Sequence, residues 1–284
     1  MRRRLGPQKV SERRACRVLD QSRSSQRYPL RRVDDEPRLL REMRSLARQR
    51  PRFGADRIDR WLVKRHWHVN HKRVHRLWKR ENMQVPRKQH RRGRFSGGSE
   101  NSCVRRRSQH KNHVWSYDFL TDRTEDSRQL RLFVVIDETT RECLAIEVAR
   151  SFIAQDVIGG LQYLFAVRGT PQHIRSDNGP EFVAKTVRRW LQRVDVGTLL
   201  IAKGSPWENG YVESAGGKLR DELLNQELFL SWAEARWVID RWRLDYNHHR
   251  LHSALNYWAP AAYAAGCVLL ASVTPQYPEY SRVT

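Results

Sequence analysis

The sequence predicts a chain in two parts, an all-α, strongly basic N-terminal region and an α/β domain built on a mixed sheet. Three observations carry this expectation. Apolar residues recur at three- and four-residue steps between Asp34 and Arg80. Three strand-like runs follow one another between His113 and Ala149, after which helix and strand patterns alternate. The positive charge is concentrated at one end, since 31 of the 54 Lys and Arg but only 10 of the 31 Asp and Glu lie in the first 100 residues.

The helical part is read from periodicity and caps. Residues 1–33 are polar and arginine-dense, with one short helix pattern around Val10 to Leu19. Leu39, Leu40, Met43 and Leu46 then mark a helix that Pro51 closes, because proline cannot continue the backbone ladder. Ile58, Trp61 and Leu62 mark a second helix over roughly 55–66, and His66-Trp67-His68-Val69 is the turn after it. Asn70 is an N-cap for a third helix, whose buried stripe is Val74, Leu77 and Trp78 and whose other face carries His71, Lys72, Arg73, Arg76, Lys79 and Arg80. Two short helices joined by a turn, the second loaded with cations, fit a helix-turn-helix with 70–81 as recognition helix. They also fit a small bundle with a basic outer face.

In the second part, His113 to Leu120 and Leu130 to Asp137 are strand candidates, the latter a nearly continuous apolar run of buried type; Cys143 to Ala149 alternates and completes a meander. Helices over Ile153–Val167 and Glu181–Val194 alternate with strands over Gln172–Ser176 and Thr198–Ala202. Glu208–Asn225 and Ser231–Asn247 are helical in pattern, and the tail from Val273 is irregular. The chain therefore divides into a basic N-terminal segment (1–33), a helix-turn-helix domain (34–86), a basic Gly/Ser/Arg linker (87–110), an α/β core (111–226) and a C-terminal helical extension with its tail (227–284).

Composition narrows the partners. The formal net charge of +23 points to a polyanion, because cations that neutralise phosphates release condensed counterions. Cys16, Cys103, Cys143 and Cys267 stand singly, with no zinc-like spacing, as expected of reduced thiols in a cytoplasmic protein. No apolar run reaches the roughly 18 residues of a membrane span, and no apolar segment follows the basic start.

Metal-assisted phosphodiester chemistry needs hard oxygen ligands converging from separate elements. Asp118 interrupts an aromatic strand (Trp115, Tyr117, Phe119), where an unpaired charge costs several kcal/mol. Asp177 follows the strand ending at Ser176, at the carboxyl end where open α/β sheets place ligand-binding groups. Glu213 lies on the helix after Gly204-Ser205-Pro206-Trp207. Taken singly, Asp118 could pair with an arginine, Asp177 could cap a turn, and Glu213 could be a solvated glutamate.

Read together, Trp115-Ser116-Tyr117-Asp118-Phe119, Ser176-Asp177-Asn178-Gly179-Pro180-Glu181-Phe182 and Ser205-Pro206-Trp207-Glu208-Asn209-Gly210-Tyr211-Val212-Glu213-Ser214 resemble the three blocks of the retroviral-type integrase core found in bacterial insertion-sequence transposases. Between Asp177 and Glu213 lie 35 residues, the spacing of the Asp-Asp-35-Glu class. Val10 to Cys16, Val69 to Val74, Leu219 to Asn225, and Tyr246-Asn247 through Arg250, His252 and Leu255 resemble further blocks of the second-frame product of insertion sequence family three.

This resemblance implies a ribonuclease H-like α/β core, two Mg2+ or Mn2+ ions on Asp118, Asp177 and Glu213, and cleavage and joining of DNA strands during transposition. It also implies double-stranded DNA, at element ends and target, as partner, a homo-oligomer on that DNA, frameshift fusion to an upstream DNA-binding protein, and a bacterial cytoplasm with nucleoid association. His71, Lys72, Arg73, Arg76 and Lys79 are then expected to contact DNA, as are Lys218 and Arg220. Arg220 falls seven residues, about two turns, after Glu213 and shares its face.

The chain departs from the family at Ala215-Gly216-Gly217, at Leu251 in place of a proline, and at Arg52-Phe53-Gly54-Ala55. Two adjacent helical glycines cost roughly 2 kcal/mol relative to alanine, which predicts a locally weakened helix. Among competing acids, Glu181 and Glu208 suit helix N-termini, Asp122 is expected past the end of its strand, and Asp137 is a neighbouring-strand carboxylate. A DNA-binding regulator with an inactive core is the alternative, and a ribonuclease on RNA·DNA hybrids, using Asp137, a third reading.

Overall fold

The computed structural model describes residues 11–27, 35–85, 107–176, 185–201 and 209–270. Asp177, Glu181 and Glu208, most of the predicted linker and the tail from 271 lie outside the described residues. The chain divides between Gln49 and Arg50 into two compact units.

In the first unit, α1 (Glu12–Val18) starts at Ser11, whose hydroxyl accepts from the Arg14 amide at 3.3 Å. A short helix that the sequence pattern did not announce, α2 (Arg23–Arg27), is tied to α1 by Arg27 Nε on Glu12 Oε1 at 2.8 Å. The predicted helix closed by Pro51 is α3 (Glu36–Gln49), with Leu39, Met43 and Leu46 on its buried stripe.

The second unit opens with α4 (Ala55–Lys64) and α5 (His71–Arg80), which pack Ile58 and Leu62 with Val74, Leu77 and Trp78 as buried residues. Asn70 caps α5 as expected, its Oδ1 accepting from the Lys72 amide at 2.8 Å.

The sheet contains β1 (Val114–Arg123), β2 (Gln129–Asp137), β3 (Cys143–Ala149), β4 (His173–Ser176) and β5 (Gly197–Leu200), in the order β3-β2-β1-β4-β5. β1, β2 and β3 form the antiparallel meander, and β4 and β5 add in parallel on the other side of β1. β1 sits at the centre, flanked by β2 and β4. Its odd residues Trp115, Tyr117 and Phe119 join α6 (Ala154–Arg168) and α7 (Lys185–Arg193) in one core. On the opposite face Leu120 packs under α8 (Gly210–Leu219) and α9 (Trp232–His248). Both faces are covered, which explains why β2 is apolar almost throughout.

Two side chains fix α9 to β3. Trp232 Nε1 donates to Val148 O at 2.9 Å, and Asn247 makes paired bonds to the Cys143 backbone, Nδ2 donating to O and Oδ1 accepting from N, both at 2.8 Å. α8 runs into one π-helical turn over Arg220–Leu224, and α10 (Pro260–Leu270) follows a tight turn with left-handed Asn256 and Tyr257.

One expectation is corrected here. Asp122 lies within β1, paired with Leu130, because β2 begins at Gln129 and keeps β1 hydrogen-bonded through its polar end.

Candidate active site

β1 and α8 carry the site. Side chains alternate across a strand, so Ser116, Asp118 and Leu120 point to the α8 face while the aromatic residues point away. Asp118 is half-buried, opposite Val134, and its Oδ1 accepts from the Phe119 amide at 2.8 Å.

α8 lies along β1 in the same direction, as three contacts show. Asn209 Nδ2, just before the helix, donates to Tyr117 O at 3.3 Å. At Gly216 an added Cβ would stand 3.1 Å from Leu120 Cδ2. Arg220 donates from Nη2 to Thr121 O at 3.4 Å. From 209 to 216 a helix rises about 10 Å, and from 117 to 120 a strand rises about 10 Å. The two elements therefore stay in step, and Glu213 is carried by the helix that packs along the strand of Asp118. Glu213 is on the exposed side of α8, and packing around its base pushes its carboxyl above the usual carboxylate range.

Gly216 thus has a packing role. It lets α8 approach Leu120, which sets its loss of helix propensity against closer contact, and α8 continues unbroken through Gly216-Gly217. Four residues after Gly216 the ladder widens into the π turn.

β4 ends at Ser176, next to this edge, since Ser116 pairs with Arg175. Beneath it is a buried ion pair that the sequence patterns did not reveal. Arg175 Nε donates to Glu138 Oε1 at 2.7 Å, Ser116 Oγ donates to the same oxygen, and the two charged side chains are 6% and 0% exposed. The pair ties β1, β4 and the turn after β2 below Asp118.

Of the competing carboxylates, the two among the described residues, Asp137 and Asp122, are placed away from Asp118. Asp137 pairs with Trp115, three positions from Asp118 and on the opposite face. Its oxygens accept from the amides of Asn112 (2.7 Å), Thr139 (2.8 Å) and Thr140 (2.9 Å), which makes it a turn-capping group. Asp122 shares the face of Asp118 but stands four residues along, about 13 Å, too far to share ions whose own separation is about 4 Å.

Of the expected DNA contacts, Lys72, Arg76 and Lys79 form an exposed stripe on α5, whereas Arg73 is half-buried. His71 faces α4, with Nδ1 3.3 Å from Asp59 Oδ2 and Nε2 3.7 Å from Asp56 Oδ1. Arg220 is exposed and Lys218 half-buried. The departures at 52–55 have partners in the fold: Arg52 pairs with Asp221, and Phe53 is buried beneath the guanidinium groups of Arg57 and Arg250. No described helix is long and apolar enough to cross a membrane.

Comparison with known proteins agrees with this architecture. Residues 34–91 match an HTH-like domain family, and residues 108–206 and 194–260 match two families described as integrase core domain. The 31.7 kDa protein of insertion element IS407 from Burkholderia multivorans is 37% identical over 256 residues, covering 90% of this chain and 91% of that protein. The 39.2 kDa protein of insertion element IS476 from Xanthomonas euvesicatoria is 36% identical over 265 residues, covering 93% of this chain and 75% of that protein. Transposase InsF of insertion sequence IS3A from Escherichia coli is 28% identical over 145 residues, half of each chain. An intasome structure from simian T-cell lymphotropic virus, 17% identical, matches with a TM-score of 0.50 over 85% of this chain and 79% of that chain, which is a likeness of fold. The chain belongs to the family of bacterial insertion-sequence transposases, with a helix-turn-helix-like region ahead of a ribonuclease H-like integrase core.

Proposed function

We propose that Asp118, Asp177 and Glu213 hold two divalent cations, Mg2+ or Mn2+, with which this transposase cuts DNA at the ends of its element and joins the freed 3′ hydroxyls to a target. The chain is a DNA transposase, a polynucleotidyl transferase of the Asp-Asp-Glu type. The reading is supported by the registration of α8, which carries Glu213, on β1, which carries Asp118, with β4 ending beside β1. The donor set suits such ions, being carboxylate oxygen throughout.

When bound, the ions polarise the scissile phosphate and stabilise the attacking and leaving oxygens. The chain's own residues fix the geometry. In this reading β1 carries Asp118, α8 carries Glu213, and the exposed Arg220 at the end of the same helix binds a neighbouring phosphate. The exposed stripe Lys72, Arg76 and Lys79 is assigned to DNA contact, with 34–86 as the DNA-binding domain and 111–226 as the catalytic core. Assembly as a homo-oligomer on paired ends, and expression as a fusion with an upstream-frame DNA-binding protein, belong to the same proposal.

The test is a cleavage and strand-transfer assay on duplexes that carry the element's terminal inverted repeats, with Mg2+ or Mn2+. Asp118→Ala, Asp177→Ala and Glu213→Gln should each reduce nicking by at least about 10³-fold, the order expected when several kcal/mol of charge stabilisation are removed, while duplex binding persists. Nicking at the wild-type rate by any one of the three variants overturns the assignment of that residue.

A further inference from the structure

Around α8, four elements bring together a cluster of basic side chains that the cleavage chemistry does not use. Arg57 comes from α4, Arg141 from the turn between β2 and β3, Lys218 from α8, and Arg250 with His252 from the segment after α9. Arg57 and Arg250 both lie over the Phe53 ring, at 5.3 and 5.9 Å from its centroid. Arg141 stacks 3.6 Å over the Tyr211 ring, and His252 meets Tyr246 edge-on at 4.7 Å.

Among the described residues the cluster is short of negative charge. Glu222 is the acid that Lys218 and Arg57 share, and it is already occupied by Arg250, whose Nε lies 3.0 Å from Oε2 and whose Nη2 lies 2.5 Å from Oε1. Within the cluster Asp56 acts on Arg57, and it also lies 3.7 Å from His71 Nε2. Three buried nitrogens have no hydrogen-bond partner: Arg250 Nη1, Arg141 Nη1 and His252 Nε2. Burial, followed by the charges of Arg250 and Arg57, pushes the Lys218 ammonium down to about 8, and burial with the same cations holds His252 down at about 2. Folding has gathered like charges in partial burial, an arrangement that an anion would relieve.

Arg57, Arg141 and Lys218 are half-buried and reach the surface, while Arg250 and His252, 2% and 4% exposed, lie beneath them. Lys218 stands five residues after Glu213 on α8, a rise of about 7.5 Å with a turn of about 140° around the helix, which directs it away from the side that Gly216 presents to β1.

We propose that Arg57, Arg141 and Lys218, backed by Arg250, form a docking site for a backbone phosphate of the DNA that this transposase binds, so that α4 and α8 grip one DNA. The proposal rests on the transposase reading for the identity of the anion. It adds a site shared between the helix-turn-helix-like region and the core.

The test reads binding without divalent metal, so that it stands apart from cleavage. Fluorescence anisotropy of labelled duplex DNA across a salt series should give, for Lys218→Gln and separately for Arg57→Gln, a slope of log K on log salt shallower by about 0.9, the value of one phosphate contact. Affinity near 0.15 M salt should fall about fivefold by the same relation, and Lys218→Arg should restore it. In thermal denaturation without DNA, Lys218→Gln should hold or raise Tm, because it removes a like-charge neighbour. Wild-type slopes in both glutamine variants overturn the proposal, and so does a lowered Tm with an unchanged slope, which marks a structural lysine. Inorganic phosphate raising the Tm of the wild type, with DNA slopes unaltered by Lys218→Gln, identifies a free-anion site and also overturns it. Cleavage that survives Asp118→Ala overturns the catalytic assignment and leaves this test intact.

Discussion

Alanine placed at Gly216 and at Gly217 should have opposite effects, although the two residues are neighbours in one helix. Each substitution gains about 1 kcal/mol of helix propensity. At Gly217 the new methyl meets nothing within 4 Å, so the gain is retained and Tm should rise by about 2–4 °C. At Gly216 the methyl would stand 3.1 Å from Leu120 Cδ2 and 3.2 Å from Cδ1, where carbon contacts settle at about 3.5–4.0 Å. Overpacking of this kind costs about 1–3 kcal/mol, which offsets or exceeds the propensity gain, so Gly216→Ala should fall about 1–3 kcal/mol below Gly217→Ala. Part of the strain is relieved by moving α8 away from β1, and Glu213 moves with it. Displacements approaching 1 Å at a reacting centre cost up to about 10²-fold, so nicking should drop by about tenfold or more in Gly216→Ala and stay near wild type in Gly217→Ala. Calorimetry or denaturant melts read the first effect and the nicking assay the second. The double variant Leu120→Ala with Gly216→Ala should recover part of both losses, as a coupled pair does. Equal stabilisation by the two alanines would refute the close approach of α8 to β1.

Two further outcomes follow from buried charge. His252 is held down at about 2 by burial and by Arg250, Lys218, Arg57 and Arg141, while an unfolded chain takes up its proton near 6.5; the folded state therefore loses stability as pH falls below 6.5, by about 2 kcal/mol at pH 5. Tm of His252→Gln should fall less between pH 7 and pH 5 than that of the wild type, and parallel curves would show that His252 does not carry the acid sensitivity. Glu138→Ala strands the buried Arg175 and should cost about 3–5 kcal/mol, whereas Glu138→Ala with Arg175→Met should cost less; a double variant as unstable as the sum of its parts would refute the ion pair.

The sequence legible by period and cap is the sequence whose structure is local. Asn70 caps α5, the aromatic alternation of β1 sorts Trp115, Tyr117 and Phe119 to one face, and Cys143–Ala149 is a strand with the boundaries its pattern announces. Where a boundary is set by a partner, pattern fails. β1 runs on through Thr121, Asp122 and Arg123 because Gln129, Leu130 and Arg131 pair with them, and nothing in a polar triplet announces its partner strand. The pairs Arg175–Glu138 and Arg250–Glu222 join residues 37 and 28 positions apart, so neither leaves a periodic trace. Short α2 and the alanine-rich α10 carry no amphipathic stripe strong enough to announce them.

The segment from Tyr246 to Leu255 falls between these cases, being contiguous in sequence but tied to several elements of the fold. Tyr246, Asn247, Arg250 and His252 each do a different job: Tyr246 fills the α8/α9 core, Asn247 clamps the start of β3, Arg250 binds Glu222 in the π turn after α8, and His252 packs on Tyr246. Glu222 in turn belongs to the helix that carries Glu213. The C-terminal segment is therefore mechanically continuous with the carboxylate edge through α8 and its π turn. A change at Arg250 should then act on α8 from behind, which is why the cation cluster and the close contact at Gly216 are two controls on the position of one helix.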